Sequence, residues 1–337
     1  MRIYLKLFYF LCLFCTLAGC TRTTPITKRT RILLGTAVTV KAHADSKRDA
    51  LTCVNAAFQE MDLIDSICGY QSGSEVDRIN SNTGRFVSVP SEVAEIVQKS
   101  VKYSRLSNGA LDVTIDPIFR LWHRFEGESL SVPSRQSIAS ALSFVDYRSI
   151  AVDGSSVRIS TEGGSIDLGA VAKGYAVDRG IAVLENLGAS GGLIDAGGDI
   201  RVFGRRPDGG LWRIGLRDPR MLDSLVTVFE VEDRAIATSG DYERYFLKDG
   251  VRYHHILDPA TGFPARGCCS VTIITDEACD ADAIATAVFV LGPEKGMELI
   301  ERLPDVEGLI IIFTDHSAKR ILRSTGLSKY EVQIAEY

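Results

Sequence analysis

The chain has 337 residues, 45% of them hydrophobic, and a formal charge of -5 at pH 7. That is enough apolar material for one large core or for two intimate halves. An acidic balance without a long basic run argues against nucleic acid as a partner.

Residues 1–19 read as a secretory signal peptide and not as part of the fold. Arg2 and Lys6 make a short positive start, Leu7 to Phe14 is an apolar run too short to span a bilayer, and Leu17-Ala18-Gly19-Cys20 follows. Small residues ahead of a Cys resemble the bacterial lipobox, in which that thiol takes a diacylglycerol. Cys20 is therefore the expected lipidation site. Residues 20–30 are then a lipidated tether. The folded domain occupies 31–337 and lies outside the cytoplasm, in the cell envelope, facing the periplasm or another extracytoplasmic space.

Arg31 to Val40 predicts a strand that enters the fold. Asp45 to Ser66 predicts a helix, with Leu51, Val54, Phe58, Met61 and Ile64 on one face. Ser91 caps a second helix through about Ser104, and Ser134 to Phe144 suggests a third. Ala151 to Ser160 alternates like one strand. Val171 to Leu187 is helical. Gly192 to Ala196, Leu211 to Leu216, Leu225 to Val231 and Val271 to Thr275 are strands. Asp280 caps a helix through Leu291, Pro293 starts another, and Leu309 to Phe313 is a buried strand. Helices and strands mix without a clean βαβ alternation, which predicts an α+β architecture.

Of eight cysteines, Cys12 and Cys15 leave with the signal and Cys20 carries the lipid. Cys53, Cys68, Cys268, Cys269 and Cys279 remain, an odd set without zinc spacing, best read as small buried residues.

Four segments are too rich in Gly, Asp, Thr and Lys for core packing alone. Ser107-Asn108-Gly109-Ala110-Leu111-Asp112-Val113-Thr114 brings small residues that allow close backbone approach, and Asp112 can accept hydrogen bonds from a base or a ring N–H. The bland reading is a helix end and a turn. Asp167-Leu168-Gly169-Ala170-Val171-Ala172-Lys173-Gly174 is a Gly-containing turn that opens a helix, a setting for phosphate, with Lys173 as a point charge. It is neither a Walker loop nor a dinucleotide fingerprint, and a capping Asp with a surface Lys is the plain alternative. His254-His255-Ile256-Leu257-Asp258-Pro259-Ala260-Thr261-Gly262 joins a histidine pair to a rigid turn, and His255 is the candidate base. Asp282 and Thr286 lie four apart on one helical face, as hard oxygen ligands suited to magnesium more than zinc. Taken alone, each of the last two has a structural explanation.

Together the four, in this order, resemble the ApbE family of flavin transferases across nearly the whole chain. Leu34-Gly35-Thr36 resembles its Met-Gly-Thr entry, Tyr70 to Val76 with Asn80 its Tyr…Ser-Glu…Asn stretch, and Asp195-Ala196-Gly197-Gly198-Asp199 its Asn-Ala-Gly-Gly-Asp turn. Leu34, Leu111 and Asp195 depart from the usual Met, Phe and Asn. The resemblance implies a single ApbE-like, T-fold-like domain. It implies FAD as the donor substrate and Mg2+ as the cofactor, with FMN passed to a Thr or Ser hydroxyl of another protein. Leu34, Tyr70, Ala110, Leu111, Asp112, Asp167, Lys173 and Ile256 would line the flavin and pyrophosphate site. Ala170, Asp282 and Thr286 would hold the metal. His255 and Asp282 would carry the catalysis. The implied acceptors are subunits of Rnf-type and Nqr-type electron-transfer complexes. An FAD pyrophosphatase and a non-catalytic FAD-binding lipoprotein are the alternatives.

Overall fold

A computed structural model describes residues 25–69, 71–123, 131–221, 223–313 and 319–332. The described chain opens with β1 (Thr27–Leu33), β2 (Thr36–His43), α1 (Lys47–Cys68), α2 (Glu75–Asn80), β3 (Val87–Ser88) and α3 (Ser91–Leu106). Next come α4 (Asp116–His123), α5 (Arg135–Leu142), β4 (Ile150–Asp153), β5 (Ser156–Ile159), α6 (Gly169–Asn186), β6 (Gly191–Ala196) and β7 (Asp199–Gly204). Then follow β8 (Trp212–Arg217), β9 (Leu225–Val231), β10 (Arg234–Gly240), β11 (Tyr245–Lys248), β12 (Val251–His254) and β13 (Ser270–Thr275). The described chain closes with α7 (Ala278–Leu291), α8 (Pro293–Arg302), β14 (Glu307–Phe313), β15 (Lys319–Arg323) and β16 (Glu331–Val332).

Eight strands form one sheet in the order β1-β2-β6-β7-β10-β13-β14-β15. Every neighbouring pair in it is antiparallel. Because side chains alternate along a strand, the sheet serves two cores. Ala235, Ala237, Ile273 and Ile310 join the apolar faces of α1, α6 and α7, with Phe58, Tyr175 and Phe289. Their neighbours Ile236, Ile274, Leu309 and Ile311 pack with Trp212 and Phe229 of the β8–β9 sheet. Helices on one face of an antiparallel sheet make the architecture α+β, as the mixed element order predicts.

The helices follow local signals. Ser46 caps α1 by accepting from Asp49 N–H, and Ala50, Val54, Phe58, Met61 and Ile64 are buried along one stripe. Ser134 caps α5 in the same way.

The differences from the sequence reading lie mainly at turns and caps. The expected strand from Arg31 to Val40 is two strands: Leu33 pairs with Thr36, so Leu34-Gly35 is a two-residue turn with φ of 54° and 68°. Such turns need positive φ at both positions, which costs a non-glycine residue about 1–3 kcal/mol. The first of these strands starts at Thr27. Ala151 to Ser160 is likewise a hairpin, β4–β5. The residue before α3 is Pro90, with Ser91 already helical. Asp280 does not cap α7: that helix starts at Ala278, and Asp280 faces Lys99 at 3.5 Å. All five described cysteines are buried and unpaired.

Candidate active site

A cavity of about 500 Å³ opens where the β1–β2 turn, the β6–β7 turn, the first turns of α6, the middle of α7 and the end of β10 converge. That size lies within the usual range for small-molecule sites.

The approach of α6 and α7 builds one wall. Gly174 makes it possible: a Cβ there would sit 2.2 Å from Ala278 O and 2.7 Å from Cys279 Cα. Four residues further along α6, Asp178 accepts from Ala278 N and Cys279 N, each at 2.8 Å. These N–H groups have no partner within α7, so a carboxylate of the neighbouring helix supplies the cap. Burial pushes the Asp178 carboxyl up to about 6, against the opposing pull of Arg201. With its N-terminus fixed, α7 turns Asp282 and Thr286 into the cavity, beside Ala170 and Lys173 of α6. Gly174 N donates to Asp282 Oδ2 at 3.3 Å, and Thr286 Oγ1 lies 3.4 Å from Ser239 Oγ.

The β6–β7 hairpin brings in a further carboxylate. Ala196 pairs with Asp199, leaving Gly197-Gly198 as a two-residue turn with φ of 66° and 100°. A Cβ at Gly197 would lie 2.3 Å from Thr36 Oγ1, so this turn needs glycine for space as well as for φ. Asp195 accepts from Gly198 N at 3.0 Å, a task that Asp or Asn performs equally. Asp199 is buried and pairs with Lys173, whose Nζ also lies 3.3 Å from Asp282 Oδ2. Burial pushes the Asp199 carboxyl up to about 7, the charge of Asp282 adds to this, and Lys173 opposes it. Burial works against the Lys173 ammonium, but the two carboxylates outweigh it and hold its pKa above the ordinary value.

His255 also lines the cavity. Its backbone N–H donates to Arg244 O at 3.1 Å, and its Nδ1 lies 3.3 Å from the same oxygen. A carbonyl only accepts, so Nδ1 carries the proton and Nε2 keeps the lone pair. Burial, with the charge of Arg244 second, brings His255 down to about 4. The following turn is self-supporting: Asp258 Oδ1 accepts from Ala260 N and Oδ2 from Thr261 Oγ1, while Trp122 Nε1 donates to Gly262 O at 2.8 Å. His254 points elsewhere. It is buried, donates Nε2–H to Ala265 O at 2.9 Å and packs edge-on against Phe289.

Leu34, Ala110, Leu111, Asp112, Asp167 and Ile256 complete the predicted set, and all line the same cavity. Asp112 is already engaged. Its Oδ1 accepts from Thr114 N and Oγ1, and its Oδ2 from Tyr147 N at 2.9 Å. Burial nevertheless raises its pKa. It is therefore a cap for its own loop first, and any ligand contact draws on what acceptor capacity is left. Asp167 Oδ1 accepts from Gly169 N at 2.6 Å, and Asn80 pins the preceding residue through Ile166 N and O. Of the predicted site residues, Tyr70 and Cys20 lie outside the described residues, as does the signal segment. Sequence reasoning leaves out Asp199, Glu243 and Arg244, which also line the cavity. The Gly-Gly-Asp turn was a visible signal for Asp199; Glu243 and Arg244 carry none.

Among the described residues, no group of three or more His, Cys, Asp or Glu side chains is gathered as metal ligands. A cation here would rely on one carboxylate, a hydroxyl, a backbone carbonyl and oxygens of its own ligand.

Comparison with known proteins identifies the family. A model of the ApbE family matches residues 34–310. The FAD:protein FMN transferase of Vibrio cholerae is 31% identical over 318 residues, covering 92% of this chain and 94% of the relative. That of Treponema pallidum is 31% identical, with 96% and 94% covered. Among solved structures, the ApbE protein of Thermotoga maritima superposes with a TM-score of 0.84 at 35% identity, covering 92% of this chain and all of the other. The apo flavinyl transferase ApbE of Pseudomonas stutzeri gives 0.80 at 30%, with 90% and 96% covered. With a family model spanning most of its length and relatives matched nearly end to end, this chain belongs to the ApbE family.

Proposed function

We propose that this protein is an FAD:protein FMN transferase that moves the FMN half of FAD onto a Thr or Ser hydroxyl of another protein and releases AMP. The observation that carries the reading is a single cavity gathering a cationic lysine, a helix-borne Asp/Thr pair and a neutral imidazole. Relatives matched along almost their whole length carry this activity in their names.

Magnesium suits the donor set. Asp282, Thr286 and the Ala170 carbonyl are hard oxygens on adjacent walls, and the Lys173 ammonium 3.3 Å from Asp282 marks that carboxylate as a place where a cation rests. When bound, the metal neutralises charge on the phosphate oxygens. The chain's own residues do the rest. The first turn of α6 and Lys173 face the diphosphate. Leu34, Leu111 and Ile256 give apolar contacts to the ring. His255, neutral above about pH 4, takes the acceptor hydroxyl proton at Nε2. The freed oxygen forms a bond to the phosphorus on the flavin side. The bond from that phosphorus to the bridging oxygen breaks, and AMP leaves with the electron pair while Lys173 balances the growing charge.

The leader completes the reading. Residues 1–19 direct export, Cys20 takes lipid, and the enzyme works at the outer face of a membrane on Rnf-type or Nqr-type subunits. Sequence alone supports these points, and mass spectrometry of the N-terminal peptide from native membranes tests them.

The test of function mixes the chain lacking residues 1–20 with FAD, Mg2+ and a peptide carrying Asp-x-x-Thr-Gly-Ala-Thr. The acceptor should gain the mass of FMN, with one AMP per transfer, and Asp282→Ala should abolish this. Free FMN and AMP beside an unmodified acceptor would replace the transferase by a pyrophosphatase. Bound, intact FAD would leave only a carrier.

A further inference from the structure

Lys173 touches two carboxylates that arrive from different elements. Asp199 comes from the start of β7 and Asp282 from α7, and both are buried. The ammonium therefore lies against Asp282 Oδ2, an oxygen of the carboxylate that serves the metal in the reading above. Two cations cannot share that oxygen without strong repulsion at short range. Lys173 has a second place to go, because Asp199 already holds it.

The geometry points to Asp199 as a positioning residue for metal binding: it retains Lys173 as the divalent cation takes Asp282, and keeps the lysine beside the phosphates. This rests on the magnesium reading of the site. The charge count supports it. With Asp199 ionised in its pair with Lys173, the three side chains carry one net negative charge, which attracts a divalent ion. Without Asp199 that remaining pair is neutral, and Asp282 is left as the carboxylate in contact with Lys173. Both effects weaken metal binding. A charge within about 4–6 Å shifts a protonation equilibrium by about 1–3 log units, so at least about tenfold is expected for a divalent ion. The two-glycine turn has the same logic: it brings the Asp199 carboxylate against Lys173 from a strand and not from α7.

The experiment measures Mn2+ binding to the exported chain by electron paramagnetic resonance, with no FAD present, so that turnover plays no part. Asp199→Asn should weaken Mn2+ binding at least about tenfold. The double variant Asp199→Asn with Lys173→Met should recover to within about threefold of the parent, because the competing ammonium is gone and the net charge is restored. Lys173→Met alone should bind more tightly than the parent, and this arm stands even if Asp199→Asn fails to fold. A double variant as weak as Asp199→Asn would make Asp199 a direct ligand and overturn the proposal. Unchanged binding in Asp199→Asn, or no tightening in Lys173→Met, would overturn it too. Asp282→Ala separates the two levels: if it binds Mn2+ like the parent, the magnesium reading itself has failed.

Discussion

Replacing Gly174 by Ala tests whether the α6–α7 contact sets the active site. The added Cβ would meet Ala278 O at 2.2 Å, Ala278 C at 2.5 Å and Cys279 Cα at 2.7 Å, all backbone atoms held within a helix. An ordinary non-bonded separation is about 3.5 Å, so the helices must part by roughly 1 Å. Two terms oppose each other. Ala is the better helix former by about 1 kcal/mol, while overpacking costs about 1–3 kcal/mol or more. Because the obstacle is backbone, overpacking should win by up to about 2 kcal/mol, and in a chain of this length Tm should fall by roughly 1–3 °C. Activity should fall further. Asp282 and Thr286 ride on α7, Ala170 and Lys173 on α6, and a 1 Å misplacement of reacting groups costs about 100-fold. The assay is the FMN-transfer rate beside a thermal melt. Gly180→Ala is the control: on the same helix, its Cβ meets Ile194 Cδ1 at 2.6 Å and Met61 Sδ at 3.2 Å, side-chain atoms of residues that do not line the cavity. It should lose stability and keep its rate. Wild-type transfer by Gly174→Ala, or equal rate losses in both variants, would refute the argument.

Other expectations follow from the site. His255→Gln should lower transfer by about 10²–10⁴-fold while FAD binding persists; in the parent, the acid limb of the pH–rate profile should fall near pH 4 and not near 6.5. Tight FAD binding lost together with the rate would make His255 a structural residue. The buried His254 gives a stability prediction. Its folded pKa is lowered to about 4 by burial, so the unfolded chain binds more protons between pH 6.5 and 4. Its contribution is therefore present above pH 6.5 and is lost as pH falls through 4, by at most about 3 kcal/mol. His254→Gln should show a smaller drop in Tm from pH 7 to pH 4.5 than the parent; an equal drop would place the acid sensitivity elsewhere. Thr286→Val should raise the Mg2+ concentration needed for half-maximal transfer, and Thr286→Ser should restore it, because only the hydroxyl differs in kind. No change in the valine variant would remove Thr286 from the metal site.

Much of this protein was legible along the chain because the causes are local. The 3.6-residue spacing of Val54, Phe58, Met61 and Ile64 determines which face of α1 is buried. Asp282 and Thr286 share a face because they are one helical turn apart, whatever surrounds them. The tight hairpins were hidden for a related reason. A two-residue turn barely interrupts the alternation of β1 and β2, and Leu34 offers no turn signal because it adopts a positive φ against its own preference.

What lies between elements was left to the tertiary structure. Asp280 had the right residue type and place to cap α7, yet the cap is Asp178, 100 residues earlier in the chain. The partners of Lys173 lie 26 and 109 residues away, and nothing near Asp199 or Asp282 announces a lysine. Burial decides the rest. His254 and His255 are adjacent and chemically identical, but one is enclosed beside Phe289 and the other lines the cavity. Residue type and spacing determine which groups are available; only packing determines which of them meet, and in what dielectric.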